Sequence, residues 1–529
     1  MKFLGKSLFP LALLFSLQCL FANEKFRLCK VEYNSQGKTK PENITQIIPP
    51  VNHEKIFETR EELESYLKQI RQNLDNTRLL LDITYEYETV QTNEDGISEI
   101  KASYTFRDSN SMIIFPIGTF DSNKGLKFEI AMKDNNFIGL TNPLRTGITL
   151  NLGDKEEPTD FSIVTPGFNI SYDMPWFYGI TKNLWINSID FQWCTRDRLP
   201  TFSFTTGFMV GIPFGSRNQH EIDFTFKQGI VRDIEYSKFG DEFYLIEFAE
   251  IAVPLEVGNI GLSTPVRYKP LVSFEYNWDS DSINKENCDL RQTPLLKPGH
   301  ELYFERIDWI GKNNYRDGFS FKTGTYLGFD LHKKDVPSDF FVPSFESQLS
   351  LYKGFDYVGF NLHISSLFGK NTKFKTGKLL RGATDNQVFT HGIQVDANNY
   401  ALDTPNALVF NAEIPIHLFT AHWPAVLGRF GKKMEKILQY FDFEMQLSPF
   451  VDFALIENRG TEKKFSIKEG IYTAGIEFLA YPLKFKSFMF RASFGFDLSK
   501  IVLDGKYGFD SSWRDGKNWE LYAGLGFQF

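Results

Sequence analysis

The chain has 529 residues with a formal net charge of -8 and an isoelectric point near 5.7, so it lacks the basic footprint that nucleic acid as a main partner would require. Its 54 Phe and 22 Tyr sit beside a mean hydropathy of -0.27, the balance expected where lipid-facing and lumen-facing residues alternate. After the first 22 residues no stretch of about 18 apolar residues occurs, which excludes a bundle of spanning helices and leaves a barrel of strands open.

Residues 1–22 place Lys2 and Lys6 before the apolar stretch 8–21 and end in Leu20-Phe21-Ala22, the pattern of a cleaved secretory signal. The mature chain then starts near Asn23. Cys19 leaves with the signal, and the odd remainder, Cys29, Cys194 and Cys288, is no disulfide framework. Whether Cys194 meets Cys288 stays open.

The next 86 residues, 23–108, change period several times. Residues 26–33 alternate as a strand, with Cys29, Val31 and Tyr33 on one face. Thr39 is placed to cap a short helix that carries Pro41 in its first turn and Ile44, Ile47 and Ile48 on its apolar side. Thr59-Arg60-Glu61-Glu62 has the capping-box pattern, and Leu63, Leu67, Ile70 and Leu74 then recur on one helical stripe. Segments 79–90 and 97–106 alternate again around Asn93-Glu94-Asp95-Gly96, a hairpin signal. The order β-α-α-β-β predicts two helices on a three-stranded sheet, and by itself it fits any small α+β domain.

Beyond residue 109 helical patterning nearly vanishes. Runs of period two follow one another, most clearly at 124–133, 319–331, 443–455, 488–498 and 519–529. They predict a transmembrane antiparallel barrel of about 16 strands over 109–529. Long connections at 279–298 and 368–405 read as surface loops. In 417–440, Met434, Ile437 and Leu438 have helical spacing and read as a periplasmic insertion between strands.

The chain ends Tyr522-Ala523-Gly524-Leu525-Gly526-Phe527-Gln528-Phe529. Tyr522, Gly524, Phe527 and Phe529 there look like the C-terminal signal of bacterial outer-membrane barrels. Glycine in a terminal strand weakens its pairing. The seam with the first strand, taken as 124–133, could then open and accept an incoming strand by β-augmentation.

Taken with the POTRA-like order of the first region, three more stretches resemble the POTRA-plus-barrel superfamily of outer-membrane assembly and translocation proteins, the BamA and TamA class. These are Asp121-Ser122-Asn123-Lys124-Gly125 with Asp134-Asn135-Asn136-Phe137-Ile138-Gly139, Leu380-Arg381-Gly382-Ala383, and Pro449-Phe450-Val451-Asp452-Phe453-Ala454. Ala383 stands where the family usually has an aromatic. The resemblance implies that Arg381, followed by Gly382, is held inside the barrel by Asp452, and alternation independently points Asp452 and Glu413 into the lumen. Charge pattern alone favours Arg381 as a solvated loop residue, with Glu413 and Asp452 merely lining a wet lumen; the order of these segments along the chain and the resemblance reverse that preference.

The resemblance further implies a factor in the outer membrane, with its N-terminal domain in the periplasm, that captures unfolded outer-membrane or secreted clients and inserts or exports them. Its partners would be outer-membrane lipids, those clients, and periplasmic chaperones or accessory subunits. No cofactor and no metal is implied, and the motifs of hydrolases, metalloproteases and nucleotide-binding enzymes are missing from the sequence. The alternative is a passive channel or surface-binding barrel with the N-terminal domain as plug or spacer.

Overall fold

The first strand, β1 (Lys25–Ser35), departs from simple alternation because it holds one extra residue. In the computed structural model its register against the neighbouring parallel strand shifts between Leu28 and Lys30. Cys29 is the bulged residue and lies exposed, while the bulge returns Val31 and Tyr33 to the face that buries Phe26 and Leu28. The expected common face of Cys29, Val31 and Tyr33 is thereby corrected.

Residues 24–525 are described apart from 94–95, 122–124, 154–156, 158, 198, 216–217, 233–242, 262–263, 280–293, 311–313, 332–333, 372–373, 375, 383–403, 428–431, 459–462 and 499–518. The signal segment 1–22, Cys288, Phe527 and Phe529 therefore lie outside the described residues. The chain divides into two units, one ending at Asp108 and the other starting at Ser109.

In the first unit, helix α1 (Pro41–Ile47) has Lys40 at its N-cap without a side-chain bond. Thr39 does not cap it. Its hydroxyl donates to Asp108 Oδ1 at 2.6 Å instead. Ile44 and Ile48 are buried, whereas Ile47 is exposed and leaves the predicted apolar side. A two-residue strand, β2 (Ile56–Phe57), precedes helix α2 (Arg60–Asn76). Thr59 caps α2 by accepting the Glu62 N–H at 3.2 Å, and the Glu62 carboxylate accepts the Glu58 N–H at 3.1 Å. The stripe Leu63, Leu67, Ile70 and Leu74 is buried. Strands β3 (Leu80–Thr92) and β4 (Ile97–Asp108) follow, with Gly96 at φ 74° in the turn between them. The sheet order is β2-β1-β4-β3, with β1 parallel and β3 antiparallel to β4, so β2 adds a fourth strand to the three expected.

Tyr33 and Tyr104 pack within this unit's core, and the Tyr104 hydroxyl donates to the Leu67 carbonyl at 2.9 Å. Burial pushes both phenols well above their ordinary value.

The second unit is a closed antiparallel barrel. Among the described residues it has 18 strands, not 16. The first is β5 (Met112–Asp121), whose Pro116 and Gly118 interrupt the apolar alternation and hid it in the sequence. The strand taken as first is the second, β6 (Gly125–Asp134). Three strands are broken in two: Val164–Tyr172 with Met174–Tyr178, Tyr244–Ala252 with Leu255–Ile260, and Asn406–Glu413 with Ile416–Ala421.

Connections at the end where β5 begins are short, as at 179–180, 215–219 and 355–358, while those at the other end are longer, as at 331–340, 370–405 and 459–470. The longest connection at the first end is 422–442, which carries the helices Trp423–Leu427 and Lys432–Leu438. Sidedness is sharp along the strand Phe443–Asn458. Glu444, Gln446, Ser448, Phe450, Asp452, Ala454 and Ile456 are all buried, and Val451 between them is 55% exposed. Ile130, Ile148 and Phe208 on other strands are likewise turned outward.

Because the first unit holds its buried phenols neutral, their contribution to its stability is complete below the unfolded phenol value of about 10 and is lost as pH rises through the higher folded values. Tyr104→Phe should reduce the steepness of that alkaline loss, followed by near-ultraviolet circular dichroism. An alkaline transition of unchanged steepness contradicts the assignment.

Candidate functional site

The segment after the strand Gly359–Gly369 turns back into the barrel rather than staying on its surface. Phe374 bridges Thr404, the Thr376 and Thr404 hydroxyls lie 2.6 Å apart, and a single 3-10 turn, Thr376–Leu379, delivers Leu380, Arg381 and Gly382 against the inner wall. Leu380 is buried among Ala407, Val409, Ala454, Ile456 and Ile471. The Leu379 carbonyl accepts Asn411 Nδ2 at 2.7 Å. The expectation of a surface loop at 368–405 is thus wrong for residues 376–382, while 383–403 lie outside the described residues.

Arg381 ends this descent. Its backbone N–H and its Nε both donate to Asp452 Oδ2, at 2.9 and 3.0 Å, and Nη2 donates to Asp452 Oδ1 at 2.7 Å. Nη1 donates to Glu413 Oε2 at 2.5 Å and lies 3.6 Å from Glu477 Oε2. The guanidinium also covers the Phe450 ring at 4.0 Å from its centroid. A planar fork of donors can meet two carboxylates at once in a way that a lysine cannot. The Arg381 side chain is 2% exposed, so the pairing operates largely without water.

Room for this approach comes from glycines. Gly382 has φ 90°, and a side chain there would stand 2.8 Å from the Phe496 backbone nitrogen. Opposite it, a side chain at Gly495 would stand 2.7 Å from the Gly382 nitrogen. The loop backbone therefore rests directly on the strand Phe490–Asp497.

The acids are held in turn. Asn361 Nδ2 donates to Glu413 Oε1 at 2.6 Å, and Arg316 Nη2 lies 3.8 Å from the same oxygen. Arg491 Nη1 lies 3.5 Å from Glu477 Oε1, and its guanidinium sits 4.5 Å above the Tyr522 ring. Tyr522 lies along the wall over Gly524, where an added side chain would stand 2.4 Å from the Tyr522 hydroxyl. A run of charge and ring contacts thus leads from the loop to the last strand, Trp519–Leu525.

That last strand pairs with β5, and the junction is Tyr522 with Asp121 and Ala523 with Phe120. By contrast, β5 and β6 pair along their whole length, from Met112 with Asp134 to Asp121 with Gly125. The seam expected against 124–133 is therefore one strand displaced. Where β6 ends, the turns on either side of the seam touch. Asn135 Nδ2 donates to Ser487 Oγ at 2.8 Å, and Lys133 Nζ lies 5.3 Å over the Phe488 ring.

The structure brings together Arg381, Gly382, Glu413 and Asp452 and places Tyr522 and Gly524 in the last strand. Phe527 and Phe529 lie outside the described residues. Sequence reasoning missed Glu477, Phe450 and Gly495. Phe450 and Glu477 are buried on the inner wall, and only the loop's position makes them neighbours of Arg381.

No family model matches the chain, and no curated protein matches it. Solved structures to which it is similar include CdiB from Acinetobacter baumannii, 13% identical, covering 95% of this chain and 74% of that one, with a TM-score of 0.47. Another is BamA from Haemophilus ducreyi lacking POTRA domains 1–3, 12% identical, covering 94% and 84%, with a TM-score of 0.35. CdiB from Escherichia coli is 9% identical, covering 94% and 76%, with a TM-score of 0.43. At these scores the likeness carries no argument, and the site stands on its own geometry.

Removing one partner of a buried pair strands the other charge, so Arg381→Ala and Asp452→Ala should each destabilise the barrel by about 3 to 5 kcal/mol, measured as the shift in its denaturant midpoint in lipid. Gly495→Val should release the loop with both charges intact, making residues 376–382 protease-sensitive. Midpoints unchanged by all three substitutions contradict the pinned loop.

Proposed function

We propose that the barrel lies in a bacterial outer membrane, with the N-terminal unit as a POTRA-type domain in the periplasm, and that it passes protein clients into or across that membrane. The outward apolar residues on alternate positions suit lipid contact, and short turns at one end with long loops at the other suit a barrel inserted from the periplasm. The observation that carries the client-handling role is the seam. The last strand meets β5 at Tyr522 with Asp121 and Ala523 with Phe120, beside Gly524, and glycine in a strand interior weakens its pairing. Opening would expose backbone donors and acceptors on β5 that an incoming strand satisfies. The Arg381 latch holds the inner wall rigid beside that seam, so that parting the strands need not collapse the barrel.

In this reading the exposed edge strand β3 receives extended clients, and the partners are unfolded outer-membrane or secreted proteins, membrane lipids and periplasmic chaperones or accessory subunits. The chemistry is strand exchange without bond making, so the protein is not an enzyme and uses no cofactor. A passive channel is the second reading. It is favoured by ion pairs elsewhere on the barrel strands, Lys182 with Glu221 at 2.7 Å and Lys269 with Glu250 at 3.1 Å, which give the wall mixed charge.

The paired positions Phe120 and Ala523 allow a direct test. Cells that depend on a Phe120→Cys, Ala523→Cys variant should lose specific outer-membrane or secreted proteins under oxidising conditions and recover them on reduction. If the inventory is unchanged with the crosslink formed, the seam has no role. If depletion of the whole protein removes nothing else, client handling itself is wrong and the channel reading gains.

A further inference from the structure

The helical connection 422–442 takes no part in the latch or the seam, yet it is the longest connection at its end of the barrel. Its second helix, Lys432–Leu438, reads Lys-Lys-Met-Glu-Lys-Ile-Leu. Met434 and Ile437 stand three residues apart and so share a face, and both are exposed, at 42% and 49%. Tyr440 and Phe441, just beyond the helix, are exposed as well. In water such an unpartnered apolar face is a cost; at the boundary of a bilayer it has a place.

Two further observations say what covers it. The face continues the barrel's outward aromatic surface: Tyr440 lies 6.2 Å from Phe485, and on the adjoining strands exposed Phe419 lies 6.0 Å from Phe443. Aromatic residues grouped at one end of a barrel mark the headgroup level. The helix also carries three lysines against one glutamate, the sign that anionic headgroups attract. The two ends of the connection are held. Asp442, itself buried, accepts the Trp423 N–H at 2.9 Å, and the Leu483 N–H bonds the Asp442 carbonyl at 2.9 Å.

We propose that Lys432–Leu438, with Tyr440 and Phe441, is an interfacial anchor, its apolar face sunk into the bilayer and its lysines bound to anionic phospholipid headgroups. The inference rests on the membrane reading given above, and fixes the depth at which the turn end of the barrel sits.

The test uses the full chain in vesicles of phosphatidylethanolamine with or without phosphatidylglycerol, with Cys29, Cys194 and Cys288 replaced by Ser. An environment-sensitive dye is attached at Ile437→Cys or, separately, at Val451→Cys on the outward face of a strand. Lipids spin-labelled near the headgroup should quench the Ile437 probe several-fold more than lipids labelled at mid-chain, and the order should reverse at Val451. Changing Lys432, Lys433 and Lys436 to Gln should lower headgroup-level quenching at Ile437 by about fivefold or more in phosphatidylglycerol vesicles, and leave it unchanged in neutral ones. An Ile437 probe open to aqueous iodide while Val451 is quenched at mid-chain overturns the anchor and hands the face to a protein partner. Failure of quenching at Val451 overturns the membrane reading and the anchor with it.

Discussion

A guanidinium taken out of water is tolerated only where fixed carboxylates and ring faces replace its hydration, and much of this barrel's interior follows from that requirement at Arg381. Asp452 supplies both oxygens, Glu413 a third, and Phe450 lies beneath the plane. These groups come from separate strands, Asn406–Glu413 and Phe443–Asn458, so the loop cannot be displaced without leaving acids on both of them unpaired. The same geometry dictates glycine at 382 and 495, because the loop must touch the wall backbone to backbone before its arginine can reach the acids.

Closure of the cylinder imposes the second constraint. A sheet curled on itself has no edges only if its last strand finds its first, and here Tyr522 pairs with Asp121 and Ala523 with Phe120, with Asn135 and Ser487 bonded across the turn end. Tyr522 and Gly524 tie the last strand to this interior. The ring lies over the glycine and carries Arg491, which faces Glu477 beside the loop. The wall next to the seam and the pinned loop are therefore parts of one polar layer.

Much of this was legible in the residues because period is a physical signal. The stripe Leu63, Leu67, Ile70 and Leu74 and the inward set from Glu444 to Asp452 lie where alternation places them. Local irregularities were not legible. The bulge at Cys29 reverses a face by inserting one residue, and Pro116 and Gly118 blur β5 enough to shift both the strand count and the seam. Thr39 went to Asp108 rather than to a helix end because a carboxylate distant in sequence offered a better partner than the adjacent N–H groups. Contacts such as Arg381 with Glu477 and Phe450 depend on where a loop lands, which no periodicity encodes.

The account stands or falls on whether residues 376–382 are fixed inside the barrel. Hydrogen exchange of the peptide spanning Thr376 to Gly382, followed in the lipid-embedded protein, reads this directly through the Arg381 N–H that bonds Asp452 Oδ2. The account predicts strong protection in the native chain and its loss in Asp452→Asn, with the strands unaffected. Exchange at the rate of a free loop in the native protein would contradict it.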